Sequence, residues 1–136
     1  MATIVHQGIT LASEDRGASK PAFVFVHGWA CNRTFFAPQA THFAQRHRVV
    51  SVDLRGHGES DKPQGPYPIA AYADDLAYMI EQLGLGQVVA VGHSSGGMAV
   101  LQRDARRRRC SASRRCVLSR DHPWRRVDRD DPSATW

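Results

Sequence analysis

Three short stretches with apolar centres punctuate the first hundred residues: PAFVFVHG (21–28), HRVVSVDLRG (47–56) and QVVAVG (87–92). Short runs of this kind read as strands buried on both faces, the habit of a parallel sheet. IVHQGITLA (4–12) alternates more loosely and suits one early strand, and SEDRGASKP (13–21) reads as a turn-rich connection. Between the strands the period changes. TFFAPQATHFAQRH (34–47) predicts a short helix with Pro38 in its first turns. After a Gly- and Pro-rich loop at 55–68, Tyr72, Leu76, Met79, Ile80 and Leu83 recur at helical spacing. Pro68 stands near the start of that helix, and Gly84 or Gly86 can take the C′ position. Asp74, Asp75 and Glu81 fall off its apolar stripe. SSGGMAVLQ (94–102) starts another helix, with small residues where it must pack closely. Strands and helices alternating in this order predict an α/β fold on a parallel sheet.

The pattern stops at about Gln102. Residues 103–136 keep no apolar stripe of period 3.6 or 2, and CVLS (116–119) is their one short apolar run. Charge breaks at the same place. Residues 1–102 hold seven Lys+Arg against eight Asp+Glu, net −1; residues 103–136 hold eleven Arg against five Asp, net +6. The chain's basic character therefore belongs to its last quarter, and a case for nucleic-acid binding would rest on that segment alone. RRRR (106–109) and the pairs at 114–115 and 125–126 offer phosphate-neutralising charge, and Trp124 a stacking ring. The plainer expectation is a disordered charge run. Arg with Ala, Ser, Pro and Asp but no Lys is also what GC-rich DNA yields out of frame, so a frame change near residues 102–104 is expected.

Cysteine is sparse. Cys31, Cys110 and Cys116 make neither a disulfide framework nor a zinc pattern, so no metal is expected. The first residues, MATIVHQGITLASEDRG, carry neither a basic leader nor a long apolar segment, which suits a soluble cytoplasmic chain without membrane contact.

GHSSG (92–96) fits G-x-S-x-G. Alone, the pattern equally fits a small-residue turn that opens a helix. Here an apolar strand leads in and a small-residue helix leads out, the setting a nucleophile elbow requires. Gly92 and Gly96 then stand where a side chain would clash. The turn lifts Ser94 Oγ clear of the sheet, and the helix N-terminus favours developing negative charge. FVHGW (25–29) follows another buried strand. Its backbone, with that of the residue after the serine, predicts oxyanion donors at Trp29 N–H and Ser95 N–H. His27 is expected to fix the Gly28 loop by hydrogen bonding rather than to move a proton.

FVHGW, DLRGHGES (53–60) and GHSSGG (92–97), in this order and spacing, resemble the N-terminal half of an α/β-hydrolase fold protein, over about residues 4–102. The resemblance implies a serine hydrolase that acts on an ester or related small acyl substrate without a cofactor. It extends to esterases, C–C bond hydrolases and cofactor-free haloperoxidases or perhydrolases. Relatives that open epoxides or remove halogen carry Asp where Ser94 stands. Asp53, Arg55 and Gly56 are expected to fix the loop beside the site, and His93 and His57 are not expected to be the base. In this family the acid and the base His follow the serine along the chain. Only 42 residues follow Ser94, and the adjacent pair Asp121 and His122 has no scaffold to hold a relay. The chain is thus expected to be an incomplete core, 1–102, with an anomalous 103–136 tail, no general base or acid of its own, and no activity. A non-catalytic binding protein is the alternative. The family's sheet order also implies that PAFVFV lies between VVSVDL and QVVAVG, and that the latter is left as an open edge.

Overall fold

The computed structural model describes residues 2–108, 115–119 and 125–127, with side chains through Ala105. Seven strands form one sheet: β1 (Ala2–His6), β2 (Ile9–Arg16), β3 (Ala22–Val26), β4 (Val49–Val52), β5 (Val88–His93), β6 (Arg115–Ser119) and β7 (Arg125–Val127), in the order β1-β2-β4-β3-β5-β6-β7. β4, β3, β5 and β6 run parallel, and antiparallel pairs close both ends. The helices are α1 (Ala37–Ala44), preceded by a 3-10 turn over Arg33–Phe36, α2 (Ile69–Gln82) and α3 (Ser95–Arg108).

Side chains alternate across β3 with the strand period of two. Val24 and Val26 join Val50, Val52, Leu11 and Ala90 under α2 and α3, where Tyr72, Leu76, Met79, Ile80, Ala99 and Val100 meet them. Phe25, Val49 and Val91 face the other way, onto Phe36 and Ala40. Each large apolar side chain buried in these layers is worth about 1.5–3 kcal/mol relative to exposure. Both layers therefore grip the same three central strands, which is why their apolar runs have no polar face. No helix among the described residues is long and apolar enough to cross a membrane.

Four readings of the sequence need correction. The early strand is a hairpin: Gln7 and Gly8 both have positive φ, which makes the tight turn that right-twisted strands prefer, and β2 runs on to Arg16 through the segment read as a connection. Asp75, off the apolar stripe, is 2% exposed. α3 does not end where the apolar pattern stops, at Gln102, but continues to Arg108, consistent with the high helix propensity of arginine. Finally, β5 is not an edge. β6 lies parallel beside it, with Val89 opposite Arg115 and His93 opposite Ser119. The row of unpaired N–H and C=O groups that an apolar edge exposes is a strong template, and the CVLS run supplies the strand that fills it. The rest of the 103–136 reading, including Asp121, His122, Trp124 and Cys110, concerns residues outside those described or their side chains.

Candidate active site at the β5–α3 elbow

β5 ends at His93 and α3 begins at Ser95, so one residue, Ser94, reverses the chain. It does so at φ 51°, in the left-handed region that costs a non-glycine residue about 1–3 kcal/mol. The strain is held by three close backbone approaches. A Cβ on Gly92 would lie 2.6 Å from the Gly96 carbonyl, and one on Gly96 would lie 2.2 Å from the His27 carbonyl oxygen. A Cβ on Gly28 would lie 2.8 Å from His93 Nδ1 and 3.1 Å from Ser94 Cβ. The end of β3 is thereby pressed against the elbow. Ser94 is exposed while Ser95 is buried.

His27 is fully buried and sets the orientation of the next peptide. Leu54 N–H donates to its Nε2 at 3.1 Å, which leaves the ring proton on Nδ1 to be donated to the Gly28 carbonyl at 2.7 Å. Burial pushes the His27 pKa below its ordinary 6.5, which keeps that neutral form. Cys31 N–H donates to the same carbonyl at 3.3 Å. The C=O and N–H of a trans peptide point in opposite directions. Two donors on Gly28 O therefore turn the Trp29 N–H away from themselves. Ser95 N–H sits in the first turn of α3, where no intrahelical acceptor exists and the helix dipole is positive. Met98 N–H donates to the Ser94 carbonyl at 3.0 Å, which closes the first turn. An exposed hydroxyl, a helix N-terminus and a fixed Gly28–Trp29 peptide thus occupy one place, an arrangement that suits charge developing on an acyl oxygen.

The loop after β4 braces this place. The Asp53 carboxylate accepts from the Arg33 guanidinium, from Arg33 N–H at 2.6 Å and from Glu59 N–H at 2.9 Å. Arg33 also meets Glu59 at 2.5 Å. Ser60 Oγ donates to the Asp53 carbonyl at 2.7 Å and accepts from Ala12 N–H at 2.8 Å, which ties the loop to β2. Arg55 reaches back to α2 and grips Asp75 with two bonds of 2.6 and 2.5 Å. His6 Nδ1 meets the same carboxylate at 2.7 Å. Gly56 turns at φ 81° where a Cβ would strike the Tyr67 ring.

Among the described residues, the histidine hydrogen bonds lead elsewhere than to Ser94. His6 goes to Asp75, His27 to Gly28 and Leu54, and His57 Nδ1 lies 3.0 Å from the Arg55 carbonyl. The His57 ring packs between His27 and the edge of Trp29. The His93 ring stacks on Phe35 at 4.8 Å. No three His, Cys, Asp or Glu side chains among the described residues gather as a metal would need. Sequence reasoning missed Arg33, Phe35, His6 and Asp75. Their partners are distant in sequence, so no local spacing marks them; the one available signal was the acidic pair Asp74-Asp75 beside an apolar stripe.

A model of the alpha/beta hydrolase fold matches residues 21–103. The 2-(acetamidomethylene)succinate hydrolase of Mesorhizobium japonicum is 42% identical over 88 residues, which cover 65% of this chain and 31% of that protein. The AB hydrolase superfamily protein YisY of Bacillus subtilis is 34% identical over 119 residues, 87% of this chain and 44% of its own. A thermophilic esterase from Thermogutta terrifontis, solved with malate bound, superposes with a TM-score of 0.70 at 36% identity, over 78% of this chain and 39% of that one. The chain spans less than half the length of each of these relatives.

Proposed function

Because the chain belongs to the α/β hydrolase fold family, we propose that it carries the nucleophile and oxyanion site of a serine hydrolase acting on an ester or related small acyl substrate. The observation that carries this is Ser94 itself: an exposed serine held at positive φ between a buried strand and a helix N-terminus. Ser94 Oγ attacks the acyl carbon as a base from solution takes its proton, and the same group returns that proton to the leaving group. The tetrahedral oxygen takes hydrogen bonds from Trp29 N–H and Ser95 N–H. The leaving group departs to give an acyl-serine, and water then releases the acid. Gly28, Gly92 and Gly96 allow this geometry. His27, Asp53, Arg55 and Gly56 position it, and His93 flanks it. No cofactor enters this scheme, and the setting is cytoplasmic.

A serine at its ordinary pKa is a poor nucleophile without a base. None of the histidine hydrogen bonds described above supplies one, so the chain alone is expected to turn over esters negligibly. Imidazole in solution can take the missing role. We expect the difference in p-nitrophenyl acetate hydrolysis between the chain and its Ser94→Ala variant to be near zero in plain buffer. That difference should rise about tenfold or more with added imidazole, a fraction of what a positioned base contributes. A difference that stays at zero with imidazole contradicts the role of Ser94. A large difference without imidazole contradicts the lack of a base among the described residues, and His57 would be the first residue to replace.

A further inference from the structure

We infer that β1 is a docking edge for a second copy of this chain, the two β1 strands pairing antiparallel about a two-fold axis at Ile4. The described sheet ends in β1 on one side and β7 on the other. An unpaired edge is a template for another strand unless charge, proline or a bulge guards it. β7 reads RRV, so arginine guards that edge. β1 reads ATIVH, with no Lys, Arg, Asp, Glu or Pro, and its register with β2 runs from Ala2 to His6 without a bulge. Among the described residues, no strand pairs with its outer side. Val5, on the open face of this edge, is 59% exposed.

The backbone decides the register. Gln7 and Gly8, both at positive φ, form a two-residue turn, so His6 and Ile9 flank it as a pair that exchanges hydrogen bonds. Antiparallel pairs alternate, so Ile4 and Ala2 also direct their N–H and C=O to β2, whereas those of Thr3 and Val5 point outward. An axis at Ile4 sets Thr3 of each copy opposite Val5 of the other. Both pairs then exchange hydrogen bonds, and every outward N–H and C=O of the two strands finds a partner. An axis at Thr3 or Val5 would instead set part of the strand opposite Met1 or the Gln7 turn. The side chains suit the same axis. Thr3, Ile4 and Val5 are all β-branched, a class that pairs well across strands. Ile4 meets its own copy on the face where it already packs against the core. Each exposed Val5 is covered by a threonine. His6, stacked on Tyr78 at 4.4 Å and bonded to Asp75, faces the small Ala2 of the second copy. A single pair of five-residue strands is a small interface, so the dimer is a transient one, with a Kd of about 10–100 μM.

Amide hydrogen exchange by NMR and sedimentation equilibrium, both on the full chain, test this. Between concentrations about tenfold below and about tenfold above the measured Kd, the Thr3 and Val5 amides are expected to slow about fourfold, as mass action dictates. The Ile4 amide, held by β2 throughout, should keep its rate. Thr3 and Val5 are exposed, so replacing them leaves the core of the single chain intact. Val5→Lys is expected to weaken self-association about tenfold. Adding Thr3→Glu to it sets opposite charges across the axis on both sides, and should restore the dimer to within about threefold of the original. A chain that stays monomeric at about 1 mM, ten times the weakest expected Kd, overturns the inference. So does association that Val5→Lys leaves unchanged, because the interface is then elsewhere. Thr3 and Val5 amides that are slow at every concentration mean that another part of the same chain covers β1, which also overturns it. A double variant that associates no more tightly than Val5→Lys alone contradicts the two-fold register.

Discussion

Replacement of Arg55 by alanine is expected to lower the free energy of unfolding by about 3–5 kcal/mol, the cost of leaving a buried charge without its partner. The charge is Asp75, 2% exposed on the core side of α2, with Arg55 itself 12% exposed. Two short bonds from the guanidinium satisfy both carboxylate oxygens. His6 meets only one of them, so it cannot replace the pair. Urea unfolding gives the number. A paired replacement, Arg55→Met with Asp75→Leu, should recover most of the loss, because removing both charges leaves nothing to desolvate. A loss below about 1 kcal/mol for Arg55→Ala would mean that the pair behaves as an exposed salt bridge and that the loop is held some other way.

Gly96→Ala is expected to destabilise by about 1–3 kcal/mol or more, as forced overpacking does. The new methyl would meet two backbone carbonyl oxygens, of His27 at 2.2 Å and of Val26 at 2.4 Å. Neither belongs to a flexible side chain, so β3 or α3 has to move, and the elbow moves with it. Gly86→Ala is the internal control. Its added Cβ meets nothing closer than Lys20 Nζ at 3.8 Å, so its effect should stay within about 0.5 kcal/mol. Should the two variants prove equally stable in urea, the close packing of the elbow on β3 would be wrong.

These two positions also mark how far the sequence can be read. The largely apolar runs at 22–26, 49–52 and 88–93 fall on central strands because a strand covered on both faces buries most of its side chains, Ser51 among them. The β4-β3-β5 order follows the resemblance. G-x-S-x-G is legible because the turn is local: Gly92, Ser94 and Gly96 sit within five residues of one another and contact one another. What pins the elbow from outside is not local. His27 takes a hydrogen bond from Leu54 N–H, and Asp53 binds Arg33, which stands in a polar stretch with no periodicity to mark it. Asp75 misleads for a related reason. A carboxylate beside an apolar stripe reads as solvent-facing until a guanidinium 20 residues away is seen to neutralise it. The hairpin turn at Gln7-Gly8 was hidden by apolar alternation that continues through it. β6 was hidden because the CVLS run is too short for periodicity to register, whereas a sheet edge needs only a few paired residues.

The central claim is that Ser94, held on a strained elbow, becomes reactive once a base is supplied. Fluorophosphonate labelling followed by peptide mapping tests it most directly, because such probes form a covalent bond only with an activated serine. The account predicts a phosphonylated peptide modified at Ser94, weak in plain buffer, stronger with imidazole and absent in Ser94→Ala. Label on another serine, or the same labelling in the Ser94→Ala chain, would contradict it.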